Sequence, residues 1–381
     1  MPPQWMSYRG PGMPGRMVHT GGFDPFSSWH VVALKPWTTP AENTPDTDEM
    51  MGNRPRVAVI GGGTGLPVIL RGLKRLDVAI TAIVTVADDG GSSGIIRDYI
   101  DVVPPGDIRN CICALARTDA VLLDLFQYRF DTEDDFLSGH AIGNLLIAGL
   151  KEMRGSISEA LALLSGWMQV QGQILPAAAE PLVLHAEFAD GTRATGESKI
   201  ARQGKRIARV TLTTMDGAPA RTASPQVVEA IMAADLVVLG PGSLYTSILP
   251  NLLVSEIGEA VCRTRAEVVY ICNIMTQRGE TEGFTDADHV RVLHQHLQQC
   301  FINTALVNTA DIPPDYLSRH PSGEYSRAVV HDPDGLREEG CRIISGDFLR
   351  LKKEGAYHAT GRVVQELRHL LHATTAFSKI Q

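Results

Sequence analysis

The chain has 381 residues, 44% of them hydrophobic and 20% charged, with a formal net charge of −8. This is a globular composition with room for one large domain or two ordinary ones. The acidic balance argues against a broad nucleic-acid-binding face, and no apolar run approaches the ~18 residues of a membrane span.

Residues 1–54 hold 8 of the 22 prolines and three of the four tryptophans, Trp5, Trp29 and Trp37. No helical or alternating period runs through them, so they are read as a disordered or loosely packed leader. They lack the basic end and apolar stretch of a secretory signal. Met50 and Met51 are alternative starts shortly before the first strand.

From Arg56 strands and helices alternate. Arg56–Ile60 is a β-branched apolar strand that runs into Gly61-Gly-Gly-Thr-Gly65. A helix follows, with Leu66, Ile69, Leu70, Leu73 and Leu76 on one face and Pro67 in its first turn. Ile80–Val86 is the second strand, and the β-α-β opening predicts parallel strands with a right-handed crossover. Two loops, 88–94 and 104–110, lead into helices over 112–116, 120–126 and 141–153. The run 182–188 alternates loosely and turns at Asp190-Gly191, a hairpin signal, and a further strand follows at 206–213. These place a small β-rich insertion at about 170–215. A helix at 225–234, a strand at 235–239, a strand at 267–272, a helix at 286–299 and a strand at 304–308 restore the parallel pattern. Shorter strands and a helix near 362–372 complete the same domain over 321–381. The expected fold is α/β, a Rossmann-like doubly wound, mostly parallel sheet whose main body spans 55–320.

The six cysteines, Cys111, Cys113, Cys262, Cys272, Cys300 and Cys341, include no C-x-x-C pair. Most lie in apolar runs and are read as reduced core thiols in a reducing compartment.

Chemistry concentrates at strand ends. Gly61–Gly65 lies between a strand and a helix, where small residues let amide hydrogens crowd an anion at the helix N-terminus. Its spacing is neither G-x-G-x-x-G nor a P-loop, and four glycines exceed what tight packing alone requires. Asp88-Asp89 follows the second strand, where a carboxylate grips ribose hydroxyls or holds Mg²⁺; a solvated turn is the plain alternative. In 104–110, Asp107 suits a helix cap and Arg109 a planar fork toward an anion. The run 126–130 mixes aromatics with Arg129, suiting either base stacking or an ordinary helix end. His140 and Asn144 sit one helical turn apart. Gly240-Pro-Gly-Ser243 ends a buried strand, with Thr246 and Ser247 following, and would share a crevice edge with Gly61–Gly65 if the two strands are parallel neighbours. Asn273, Thr276 and Gln277 join that edge. No Ser-His-Asp set or G-x-S-x-G elbow is present.

Taken together, GGGTGLPVILRGLK (61–74), ITAIVTVADDGGSSG (80–94), PPGDIRN (104–110), LFQYRF (125–130), GHAIGN (139–144), ADLVVLGPGSLYTSILPNLL (234–253), YICNIMTQRGET (270–281) and DHV (288–290) resemble the YvcK-type gluconeogenesis-factor family. That family belongs to the superfamily of CofD-type 2-phospho-L-lactate transferases. The resemblance implies a Rossmann-like fold, binding of UDP-sugars such as UDP-N-acetylglucosamine, and a cytoplasmic role in carbon balance, cell-wall supply and cell shape. The transferase relatives use a guanosine-diphosphate donor and Mg²⁺ and move phospholactate onto a deazaflavin. Carried over, phosphate contacts fall on Gly62, Gly63, Thr64, Gly242, Ser243 and Ser247, in loops that include Gly65. Base and sugar contacts fall on Asn144, Tyr245 and Asn273, and Asp88 and Asp89 match an acidic pair beside a metal. Pro67 replaces the family's usual Ser, and Ile95 its usual Arg after SSG.

Three readings follow. The first is a nucleotide-sugar-binding regulator. The second is a Mg²⁺-dependent transferase in which Asp89 and Asp88 hold the metal and Arg109 steadies developing charge. The third is a nicotinamide-dependent oxidoreductase, which Asp88 favours and the glycine spacing opposes, so no NAD is expected. The expected partner is a small nucleotide sugar rather than a nucleic acid or membrane, and a homodimer is common for such folds.

Overall fold

The computed structural model describes residues 54–132, 137–313, 316, 325–353 and 355–378. The leader expected over 1–54 falls, Arg54 apart, outside these residues.

The first strand, β1 (Arg56–Gly61), is buried from Val57 onward, because both sheet faces are covered and a continuous apolar run suits such a position. Helix α1 (Gly65–Leu73) buries Leu66, Ile69, Leu70 and Leu73, the face that the 3.6-residue period marks. Strand β2 (Ala79–Val84) pairs parallel with β1, Ile60 opposite Ile83. Next come α2 (Gly91–Tyr99), α3 (Pro105–Leu115), α4 (Ala120–Gln127), α5 (Ile142–Arg154) and α6 (Ile157–Trp167). The stretch from Gly91 is thus helical where a loop is expected. Two glycines and two serines in its first turn lower its helix propensity, while burial of Ser92, Ser93, Gly94 and Ile96 stabilises it through packing.

The main sheet has seven parallel strands in the order β12-β10-β8-β7-β1-β2-β3, where β3 is Gln173–Pro176, β7 Leu236–Leu239, β8 Glu267–Ile271, β10 Thr304–Asn308 and β12 Arg342–Gly346. The chain runs outward from β1 through β2 to β3. It then returns to lay β7 on the other side of β1, Ile60 opposite Leu239, and continues outward. The strand order therefore switches between β1 and β7, and crevices at such points open at the carboxyl ends of the strands.

The insertion is narrower than expected. Strands β4 (Leu182–Phe188), β5 (Arg193–Thr195) and β6 (Ile207–Thr214) form a separate antiparallel sheet, with helix α7 (Glu197–Arg202) between the last two. Strand β3, inside the expected span, belongs instead to the main sheet as the parallel neighbour of β2. Four residues are too few to show a period, and Pro176 is tolerated because this strand is an edge.

Beyond the insertion lie α8 (Pro225–Met232), a π-helical turn at Leu244–Ile248, α9 (Leu249–Leu252), α10 (Ser255–Arg263), β9 (Met275–Gln277) and α11 (Asp286–Leu297). The C-terminal part completes the same sheet through β12. It also adds β11 (Tyr325–Ala328), which pairs with β9, helix α12 (Pro333–Glu338), a hairpin of β13 (Leu349–Lys352) and β14 (Gly355–His358), and helix α13 (Thr360–Ser378). Val364 of α13 packs where Gly72 of α1 leaves no side chain. Among the described residues no helix is long and apolar enough to cross a membrane. Cys111, Cys272 and Cys341 are buried and all six thiols are free, but Cys300 is exposed just past the end of α11 rather than in the core.

Candidate functional site

Both glycine loops leave adjacent strands at the same end. The Gly240 N–H still donates to the Ile60 carbonyl at 3.0 Å, and the chain then turns through a cis Gly240–Pro241 bond. The loops touch main chain to main chain. A Cβ added to Gly65 would lie 2.2 Å from the Pro241 carbonyl oxygen, and one on Gly62 would meet Thr85 and Asp107. Gly63 sits at φ +62°, a left-handed conformation that glycine enters without steric cost. Buried Asn251 ties the loops together, its side-chain amide donating to the Gly61 carbonyl at 3.1 Å and the Ser247 carbonyl at 2.8 Å. Asn273 brackets the second loop, donating to the Gly242 carbonyl at 2.8 Å and accepting from the Gly242 N–H at 3.4 Å. Ser243 caps the π turn by accepting the Thr246 N–H at 3.2 Å and donates its own hydroxyl to Glu280.

The anion character of this junction is visible in what already occupies it. The Gly63 N–H donates to Asp107 Oδ2 at 2.6 Å. Asp107, expected as a helix cap, does not cap: the residue before α3 is Pro104, and the Asp107 carboxylate reaches across to the first loop instead. Burial pushes its carboxyl up to about 6, aided by the charge of Asp88 and opposed by the Gly63 hydrogen bond and Arg109.

Acidic side chains gather beside the loops. Asp88 accepts from the Gly90 N–H at 2.8 Å, and Asp89 accepts from the Ser198 N–H at 2.7 Å, which joins the end of β2 to the insertion. Burial raises the Asp88 carboxyl, with the charge of Asp89 adding to it. Glu197, at the start of α7, is pushed up to about 7, first by burial and then by the charge of Asp88, with Asp89 and Glu280 contributing further and a Thr246 hydrogen bond opposing.

Beneath these carboxylates runs a buried polar chain. His140 Nδ1 and Ser92 Oγ are 2.9 Å apart, Asn144 donates to Ser92 Oγ at 3.0 Å, and Arg109 donates to Asn144 at 3.1 Å and to Asn110 at 2.9 Å. The Arg109 fork is thus occupied by two asparagines; its Nε, also buried, has no hydrogen-bond partner. Arg109 and Asn144, singled out separately in the sequence, are direct partners here.

Other expected residues stand apart. The Thr64 side chain makes no cap hydrogen bond and Thr64 is exposed. Tyr245 is 1% exposed and packs edge-on to His296, its phenol raised chiefly by burial, so it lies in the core. Phe126 is buried, whereas Tyr128 is exposed and packs edge-on to Phe130. Ile95, at the usual arginine position, is exposed. Sequence reasoning missed Glu197 and Asn251 and the reach of Asp107. Glu197 lies in an insertion with no local signal, whereas Asn251, a polar residue in the apolar run 248–254, was a visible clue.

The whole arrangement has known counterparts. The family model described as 2-phospho-L-lactate transferase CofD matches residues 57–349. The chain belongs to the CofD family, on its gluconeogenesis-factor branch. The gluconeogenesis factor of Listeria monocytogenes is 48% identical over 318 residues, covering 84% of this chain and 96% of its own length. A gluconeogenesis-factor relative from Streptococcus pneumoniae is 49% identical over 319 residues, 84% of this chain and 98% of its own length. Among solved structures, protein BH3568 from Bacillus halodurans superimposes with a TM-score of 0.78 at 43% identity, covering 82% of this chain and 99% of that one. The CofD-family assignment thus spans both glycine loops, the acidic wall and the insertion.

Proposed function

We propose that the protein binds a nucleotide sugar of the UDP-N-acetylglucosamine type, its diphosphate on the amides of Gly62–Gly65 and Gly242–Ser243. The observation that carries this reading is the convergence of the two glycine loops at the switch between β1 and β7, with an Asp107 carboxylate already on the Gly63 amide. Ser247 and Asn273 support the second loop, and Asn144 orders the floor. On this reading the protein is cytoplasmic, probes nucleotide-sugar supply for carbon metabolism, cell wall and cell shape, and works as a homodimer. Isothermal titration with UDP-N-acetylglucosamine is expected to give a dissociation constant in the micromolar range. Absence of heat with every UDP-sugar at millimolar concentration overturns the reading.

A second reading is favoured by the acidic wall. Oxygen donors on successive residues, Asp88 and Asp89, fit a hard cation, and the Glu197 carboxyl near them is raised first by burial and then by the charge of Asp88. Mg²⁺ held there would neutralise phosphate charge, and Arg109 would steady the polar floor, as in transferases of the CofD type. Mg²⁺-dependent turnover of a guanosine-diphosphate donor, lost in Asp89→Ala, supports this reading; full activity in that variant removes it.

A further inference from the structure

The diphosphate edge ends at a cavity of about 540 Å³ that neither glycine loop lines. One wall is the end of α7 and the residues after it, Arg202, Gln203 and Gly204; the other is the turn after β9, Gln277, Arg278 and Glu280. The two walls meet by direct main-chain contact. Gly204 lies at φ +61° and Gly279 at φ +77°, and a Cβ on Gly279 would fall 2.5 Å from the Gly204 Cα. The insertion is therefore seated on the turn after β9 at a junction that admits no side chain at Gly279.

Glu280 links this cavity to the phosphate loops, because its carboxylate accepts the Ser243 hydroxyl. The cavity begins one side chain from the loop assigned to the diphosphate. Two cations line it. Many arginines of this chain are paired, such as Arg291 with Asp288 and Glu339, or Arg342 with Glu267. Arg202 and Arg278 are exposed and have no ion pair or hydrogen bond among the described residues. Two guanidinium forks lining one cavity, without partners among the described residues, suit a planar anion. Glu280 shares the wall of Arg278, and the described lining has a formal charge of +1, which suits a singly charged carboxylate better than a doubly charged phosphate.

We propose that this cavity takes the sugar end of the bound nucleotide sugar and that an acidic sugar binds more tightly there than its neutral counterpart, its carboxylate held by Arg202 and Arg278. This rests on the nucleotide-sugar reading and adds to it the chemical class of the sugar. The insertion thereby becomes the specificity-determining wall of the site.

UDP-glucose and UDP-glucuronate differ only in a hydroxymethyl against a carboxylate, so the pair isolates the inference. Titration of the full chain with UDP, UDP-glucose and UDP-glucuronate is expected to show tighter binding of UDP-glucuronate than of UDP-glucose by about tenfold or more, the scale of a charge-assisted hydrogen-bonded pair. In the double variant Arg202→Ala/Arg278→Ala the ratio falls to about one. Equal or tighter binding of UDP-glucose by the wild-type chain overturns the inference while leaving the nucleotide reading intact, as does a ratio that survives in the double variant. Failure of UDP and both sugars to bind overturns the nucleotide reading and this inference with it.

Discussion

The two sides of the crevice are built on different principles. The loop side, 61–65 with 240–243, is made of main chain: its donors are amides, its shape is set by closely packed glycines, and it leaves no room for a side chain at Gly62 or Gly65. The acidic side, Asp88, Asp89, Asp107, Glu197 and Glu280, is made of side chains from distant segments, and the carboxyls of Asp88, Asp107 and Glu197 are pushed upward, first by burial and then by neighbouring acidic charge. The first side offers amide donors without a formal charge; the second carries titratable carboxyls. On the proposed function a diphosphate would sit on the first, and a cation held between them would let it coexist with the second.

The sharpest break of this contrast is Gly65→Val. Its Cβ would strike the Pro241 carbonyl, and neither main chain can yield. Loss of diphosphate binding and destabilisation of about 3 kcal/mol in urea unfolding are expected; wild-type binding by a folded Gly65→Val protein would mean that the loops are not in contact.

Glu197→Gln probes the other side. Burial and the charge of Asp88 push the Glu197 carboxyl up to about 7 in the folded chain, against 4.5 for a glutamate in water. The unfolded chain therefore gives up this proton first, and the group's stabilisation is lost as pH rises from 4.5 through 7. With chelator present, Glu197→Gln is expected to be more stable than wild type at pH 8 by on the order of 2 kcal/mol and indistinguishable from it below pH 4.5. Equal stability of the two proteins at pH 8 would show the wall to be neutralised already.

Asp107→Asn tests where the sides meet. With the competing charge gone from the Gly63 amide, metal-free diphosphate binding is expected to tighten about tenfold, a modest share of the charge–charge energy at such range. Weaker binding would make Asp107 a helper rather than a placeholder. The smallest effect is Thr64→Ala, within about 0.5 kcal/mol in stability, because the exposed side chain makes no cap; a larger loss would reveal a bond to ligand or loop.

The same contrast explains what was legible beforehand. Gly61–Gly65 and Gly240–Ser243 announce themselves locally, as apolar strands running into glycine, and a parallel sheet follows from alternating strands and helices, whereas the pairing of β1 with β7 is set by the strand order of the fold. The acidic wall is non-local. Asp89 meets Ser198 across 109 positions, and no period in either segment encodes that meeting. Helix α2 is hidden by the glycines and serines that bury its first turn, and Tyr245 is turned into the core by a π turn whose spacing matches neither helix nor strand. Asp107 looks like a cap because capping is the commonest use of such a residue, and only the fold brings the Gly63 amide within its reach.

A crystal structure of the full chain with UDP-N-acetylglucosamine addresses the central claim most directly. The account predicts diphosphate oxygens within about 3 Å of the Gly63 and Gly242–Ser243 amides, with Asp107 released from Gly63. A nucleotide bound elsewhere, with the 2.6 Å Gly63–Asp107 hydrogen bond intact, would contradict it.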